Sequence, residues 1–185
     1  MNNRNETNLH LLTSASVLRL EGIWAFAVPV GFVAAAVAAP AVCHLLGAPV
    51  RWILPMHWPI LLAGLLYGWR AGLLTGLAAP TSNWLLTGYP LPMVLPAMTL
   101  ELMVYGFLSG WLVEKRRWNR FLAISVAVLT GRLVFLTAVI LTHGYKGEFS
   151  EYFVAAMIPG LAGAVGQIFL LPIAAKALIS KTDNL

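Results

Sequence analysis

A chain of 185 residues, 59% hydrophobic and only 10% charged, does not suit an ordinary soluble domain, which carries roughly 25% charged residues and leaves much of its surface in water. Lipid must be the solvent for most of it, and the length leaves room for one compact bundle (1–185 as a single domain) but not for a separate catalytic domain. The net charge of +5 is spread between apolar runs, where cations act as topology signals rather than as a nucleic-acid surface, and Cys43, the sole cysteine, excludes an internal disulfide.

Residues 1–20 are polar and mixed and form a cytoplasmic N-terminal segment, without the usual pattern of a cleavable signal peptide. A membrane helix needs roughly 20 mainly apolar residues, and on that basis residues 21–180 hold six spans in an all-α membrane bundle. The first runs from about Gly22 to Leu46 and the second, which is short, from about Ile53 to Gly68. Trp69 and Arg70 form a tight polar break. The third runs from about Ala71 to Leu86, ended by Thr87-Gly88-Tyr89-Pro90, and the fourth from about Met93 to Val113. A cationic cluster from Glu114 to Arg120 interrupts. The fifth runs from about Phe121 to Thr142, and the sixth from about Tyr152 to Ile179 after a polar loop.

With both termini cytoplasmic, the inner segments hold Arg4, Arg19, Arg70, Lys115, Arg116, Arg117, Arg120, Lys176 and Lys181, and the outer segments only Arg51 and Lys146. That imbalance is a strong positive-inside bias and favours an even number of spans. Pro55, Pro59 and Pro80 lie in or beside the short second and third spans. Irregular backbone at membrane depth is tolerated only where protein or a water-filled cavity covers it, so these spans point either to a ligand cavity or to a shallow hairpin packed under a loop.

Arg132 lies inside the fifth span, where a cation costs roughly 2.5 to 3.5 kcal/mol on insertion scales. Glu101 is the sole acidic residue within a span, and counting residues from the helix ends places the two within about 3 Å of the same depth. They form either an ion pair that only locks two helices or one that faces a ligand. Tyr105 and Ser109 follow Glu101 at four-residue steps on one helix face. Gln167 shares a face with Pro159 and Gly163 on the sixth span, as a ligand contact or as interhelical hydrogen-bond glue. Asn83, Trp84, His57 and Trp58 lie toward the outer ends of the third and second spans. The tryptophans there either stack on a flat ligand or anchor the interface. No second histidine stands at ligand spacing to His57, so no metal site is expected.

Ala27, Gly31, Ala35 and Ala39 recur every four residues on the first span. Such ridges let helices approach closely, within the chain or against a partner subunit. A nucleotide-binding GxxxxGK[ST] loop is missing, so the chain cannot power transport by itself. GxSxG and HExxH are missing as well, and neither an enzyme nor a cofactor site is expected.

Several stretches in order resemble the substrate-binding (S) subunits of energy-coupling factor (ECF) transporters, the micronutrient importers of prokaryotes. They are Pro55 to Gly68, Ala71 to Gly76, Leu85 to Gly88, Glu101 to Gly106, Gly131 to Val134, and Pro159-Gly160 through Gln167 to Pro172. The resemblance spans residues 50 to 178. It implies a six-helix bundle in the prokaryotic inner membrane, with ligand near the outer face under the loop joining the first two helices. It further implies docking of small first-helix residues on a membrane coupling subunit, two ATP-hydrolysing subunits, and toppling in the membrane to release a vitamin-like ligand inside. Residues 27 to 39 fit that docking pattern, interrupted by Pro29 and Pro40. The residues themselves add that an Arg–Glu pair near a shared cavity suits a vitamin-sized polar ligand with a carboxylate, a zwitterion, or a heterocycle with donors and acceptors, since a large apolar one leaves both charges unpaired. The rival readings are a stand-alone permease and a non-transport membrane scaffold.

Overall fold

The computed structural model describes residues 17–18, 20–143 and 149–182, and every regular element among them is helical. The helices are α1 (Trp24–Leu45), α2 (Val50–Ile53), α3 (His57–Tyr67), α4 (Trp69–Thr87), α5 (Leu95–Glu114), α6 (Arg120–His143) and α7 (Phe149–Thr182). Six of them fall where the apolar runs place spans, as they must if lipid forces each segment to satisfy its own backbone polar groups. Four of these, in α1, α5, α6 and α7, are long and apolar enough to cross a membrane. α3, at 11 residues, reaches only about 16 Å.

Two details differ from the sequence reading. The break between the second and third spans is Gly68, not Trp69-Arg70, which open α4. Gly68 holds φ 84°, ψ −177°, a backbone state open to a residue without Cβ. The new helix restarts at once because the Glu114 carboxylate accepts the Trp69 backbone N–H at 3.2 Å. The loop after α1 also carries the short helix α2, which no long apolar run announces. It ends at Leu54, whose φ of 53° is left-handed. The Trp58 indole N–H donates to the Ile53 carbonyl at 2.8 Å and ties this loop to α3.

The centre of the bundle is a joint between α3, α4 and α5 made of glycine. Gly72 and Gly106 face each other so closely that a Cβ on either would land on the other's backbone, and Gly76 meets the backbone of Leu102 in the same way. Gly110 lies on Gly68 and Trp69, and Gly64 lies on Gly106, Ser109 and Gly110. In lipid no hydrophobic force drives helices together, so close backbone packing of this kind supplies the association. Ile60, Leu61, Leu65, Leu102, Tyr105 and Ile124 fill the surrounding core. α1 lies at the margin, with Ile23, Trp24, Phe26 and Val30 exposed, as suits a helix that faces lipid.

Candidate functional site

The facing glycines set the register that builds the site. With Gly72 opposite Gly106 and Gly76 opposite Leu102, Glu101 comes just beyond the joint, toward the α1–α3 loop. His57 opens α3 at the same level, and α6 brings Gly131 against the Tyr105 ring. Arg132 therefore reaches the same layer.

There the Arg132 Nη1 donates to Glu101 Oε1 at 3.1 Å, and the Tyr105 hydroxyl donates to the same oxygen at 2.9 Å. The Glu101 side chain is 2% exposed and that of Arg132 17%. The His57 ring stands edge-on to Tyr105, with centroids 5.4 Å apart. Its Nε2 is 4.0 Å from Glu101 Oε2, beyond hydrogen-bond reach. Gly160 of α7 leaves room for the guanidinium: a Cβ there would meet Arg132 Nη2.

Among the described residues, Arg132 Nη2, both His57 ring nitrogens and both amide atoms of Gln167 are buried without a hydrogen-bond partner. Buried polar atoms are nearly always paired, and leaving one unpaired costs about 1–3 kcal/mol. Three of these atoms, on Arg132 and His57, belong to side chains at the ion pair, and the other two are those of Gln167 on α7. Gln167 is fully buried. It lies seven residues, about two turns, beyond Gly160 on the same helix face. On that face Gly163 packs against the carbonyls of Trp52 and Ile53, and the adjacent Gly166 lies against the Trp58 ring. The α1–α3 loop thus presses on the face of α7 that carries Gln167.

The predicted residues divide accordingly. Glu101, Tyr105, Arg132 and His57 meet in one cluster, and Gln167 points inward from α7. Trp58 spends its indole N–H on the loop. Asn83 donates through Nδ2 to the Tyr89 carbonyl at 2.8 Å and braces the turn after α4. The glycine register puts it about 9 Å further along the bundle than Glu101, and Trp84 beside it is half-buried. Ser109, on the Glu101 face, hydrogen-bonds to the Gly106 carbonyl within the joint. On α1, Ala27, Gly31 and Ala35 are exposed and Ala39 half-buried, and a Cβ on Gly31 would touch nothing. The small residues that pack helices within the chain are those of the joint. Gly160 and Gly131 also shape the cluster, one against Arg132 and the other against Tyr105, and their signal in the sequence is a glycine inside an apolar helix where no turn needs one.

A concavity of about 430 Å³ lies at the opposite end of the bundle from Glu101, lined by Leu18, Glu21, Pro29, Tyr67, Arg70 and Glu114 among others. None of its lining residues carries a buried unpaired polar atom, so the Glu101 layer is the candidate site.

The chain is thus a helical membrane bundle with a buried ion pair under a connecting loop. Residues 28–180 match the family of ECF transporter substrate-specific components, and the chain belongs to that family. It is a multi-pass membrane transport component and not an enzyme. No curated protein and no solved structure matches it.

Proposed function

We propose that this chain captures a vitamin-sized polar compound outside a prokaryotic inner membrane, as the S subunit of an ECF importer, and delivers it to the cytoplasm. All six long helices insert, with both termini cytoplasmic; α3 and α4 lie inside the bundle, where protein covers their short, Pro- and Gly-interrupted backbone. The charge bias across the loops supports that orientation, and it puts the Glu101 layer nearer the outer face, beneath the α1–α3 loop. A membrane coupling subunit and two ATP-hydrolysing subunits supply the energy, and the ridge of Ala27, Gly31 and Ala35, all exposed, with the half-buried Ala39, is the surface offered to the coupling subunit.

The observation that carries this reading is the buried Glu101–Arg132 pair, with unpaired polar atoms on Arg132 itself, on the adjacent His57 and on the buried Gln167 of α7. Glu101, Tyr105, Arg132, His57 and Gln167 contact the ligand, while Asn83, Trp84 and Trp58 shape the loops above it. The test is mass spectrometry of whatever the purified protein releases on denaturation. A stoichiometric small polar compound is expected, lost from folded Arg132→Ala. A folded mutant that keeps the compound at full occupancy removes Arg132 from the site, and a wild-type protein that binds nothing and captures no ATP-hydrolysing partner refutes the whole reading.

A further inference from the structure

Resting on that reading of the site, the geometry points to a ligand class: an uncharged planar heterocycle that presents an amide or lactam edge, with a donor and an acceptor side by side.

The two charges of the chamber cancel, because Glu101 Oε1 already accepts from Arg132 Nη1 at 3.1 Å and from the Tyr105 hydroxyl at 2.9 Å. A carboxylate ligand would leave one net negative charge in a chamber whose walls are 2% exposed at Glu101 and 3% at His57. Buried charge without its own partner is among the most costly arrangements in a protein.

The unpaired atoms are also of both kinds. Arg132 Nη2 is a donor. Gln167 leaves both its carbonyl and its NH₂ unpaired, and neither ring nitrogen of His57 has a partner; a neutral imidazole carries one donor and one acceptor. A carboxylate only accepts, so it would strand the Gln167 carbonyl and the acceptor nitrogen of His57. An ammonium only donates, and would strand Arg132 and the Gln167 NH₂. An amide or lactam edge matches the Gln167 amide with two antiparallel hydrogen bonds, the geometry in which a glutamine reads a nucleobase edge. Its ring leaves further acceptors and donors for Arg132 and His57. A flat ring also suits the walls, which are the Tyr105 ring and the edge-on His57 ring. None of the five atoms is open to solvent, so the ligand displaces the loop from Trp52 to Leu54 when it enters.

The test uses the full chain in detergent, with equilibrium dialysis against two matched pairs of probes. Nicotinamide and uracil are neutral and carry the edge; nicotinate and orotate are the same rings with a carboxylate. The neutral member of at least one pair should bind at least tenfold more tightly than its carboxylate counterpart. Gln167→Leu removes the two unpaired atoms without leaving a new one. It should fold with an unchanged or higher Tm and lose the preference. Tighter binding of a carboxylate, equal binding of both members, or binding of neither overturns this inference. So does a lower Tm for Gln167→Leu, which would make Gln167 interhelical glue. If wild-type protein releases a carboxylate compound on denaturation, the ligand class fails and the importer reading stands. If it releases nothing and no ATP-hydrolysing partner co-purifies, the importer reading itself fails.

Discussion

Removing Glu101 separates stability from binding. In Glu101→Ala, the Arg132 guanidinium keeps its charge and loses its counter-ion, and the Tyr105 hydroxyl loses its acceptor. Breaking a buried pair by deleting one partner costs about 3–5 kcal/mol. The Arg132 side chain keeps 17% exposure, enough to turn partly toward polar surroundings, so the value belongs near the lower end. At about 3 kcal/mol and roughly 2–4 °C per kcal/mol for a chain of this size, Tm falls by about 6–12 °C. The double variant Glu101→Leu/Arg132→Met exchanges the pair for apolar side chains of similar bulk, a change that is often neutral or stabilising. It should recover most of the Tm while releasing no small molecule on denaturation. Thermal unfolding in detergent, followed through tryptophan fluorescence, reads the whole cycle. A Glu101→Ala protein as stable as wild type would refute the buried pair, and a double variant that still carries a ligand would show the pair to be a lock and nothing more.

Other substitutions test the scaffold. Gly106→Ala drives a Cβ into the Gly72 backbone, which cannot rotate away, and should cost about 1–3 kcal/mol or prevent folding, seen as loss of the monodisperse peak in gel filtration. Gly31→Leu meets open space and should leave Tm unchanged while reducing recovery of the ATP-hydrolysing subunits in a pull-down; full recovery would exclude this ridge from docking. Glu114→Ala removes the acceptor that caps α4 at Trp69 and should lower stability by about 0.5–2 kcal/mol, with ligand release intact because the cap lies at the far end of the bundle from Glu101.

The helices were legible because lipid leaves a spanning segment so few options: each long apolar run is a helix. The Glu101–Arg132 contact was legible for a related reason, since a fixed rise per residue turns position in a span into depth. What depth cannot give is the angular setting of neighbouring helices. The sequence puts Tyr105 on the Glu101 face, but its edge-on contact with His57 and its contact with Gly131 depend on how α3 and α6 rotate against α5. Gly68, Gly72 and Gly76 repeat every four residues as regularly as the ridge on α1. A small-residue pattern announces a close approach without saying what approaches, so the ridge on α1 kept two readings. Helix α2 stayed hidden because four residues carry no periodicity to detect.

The glycine joint has a consequence for how such a protein changes over time. Where backbone rests on backbone there is no intermediate side chain to try, so a position such as Gly72 tolerates almost nothing, and variation there is all or none. The polar layer interleaves with the joint on α5, where Glu101 and Tyr105 stand next to Leu102 and Gly106, and its other members come from α3, α6 and α7. His57 or Gln167 can be replaced by another residue of similar bulk without disturbing the contact that fixes the helices. On the proposed function, selectivity and scaffold therefore rest on different residues of the same helices, and one frame can be refitted for new cargo by altering the polar side chains alone.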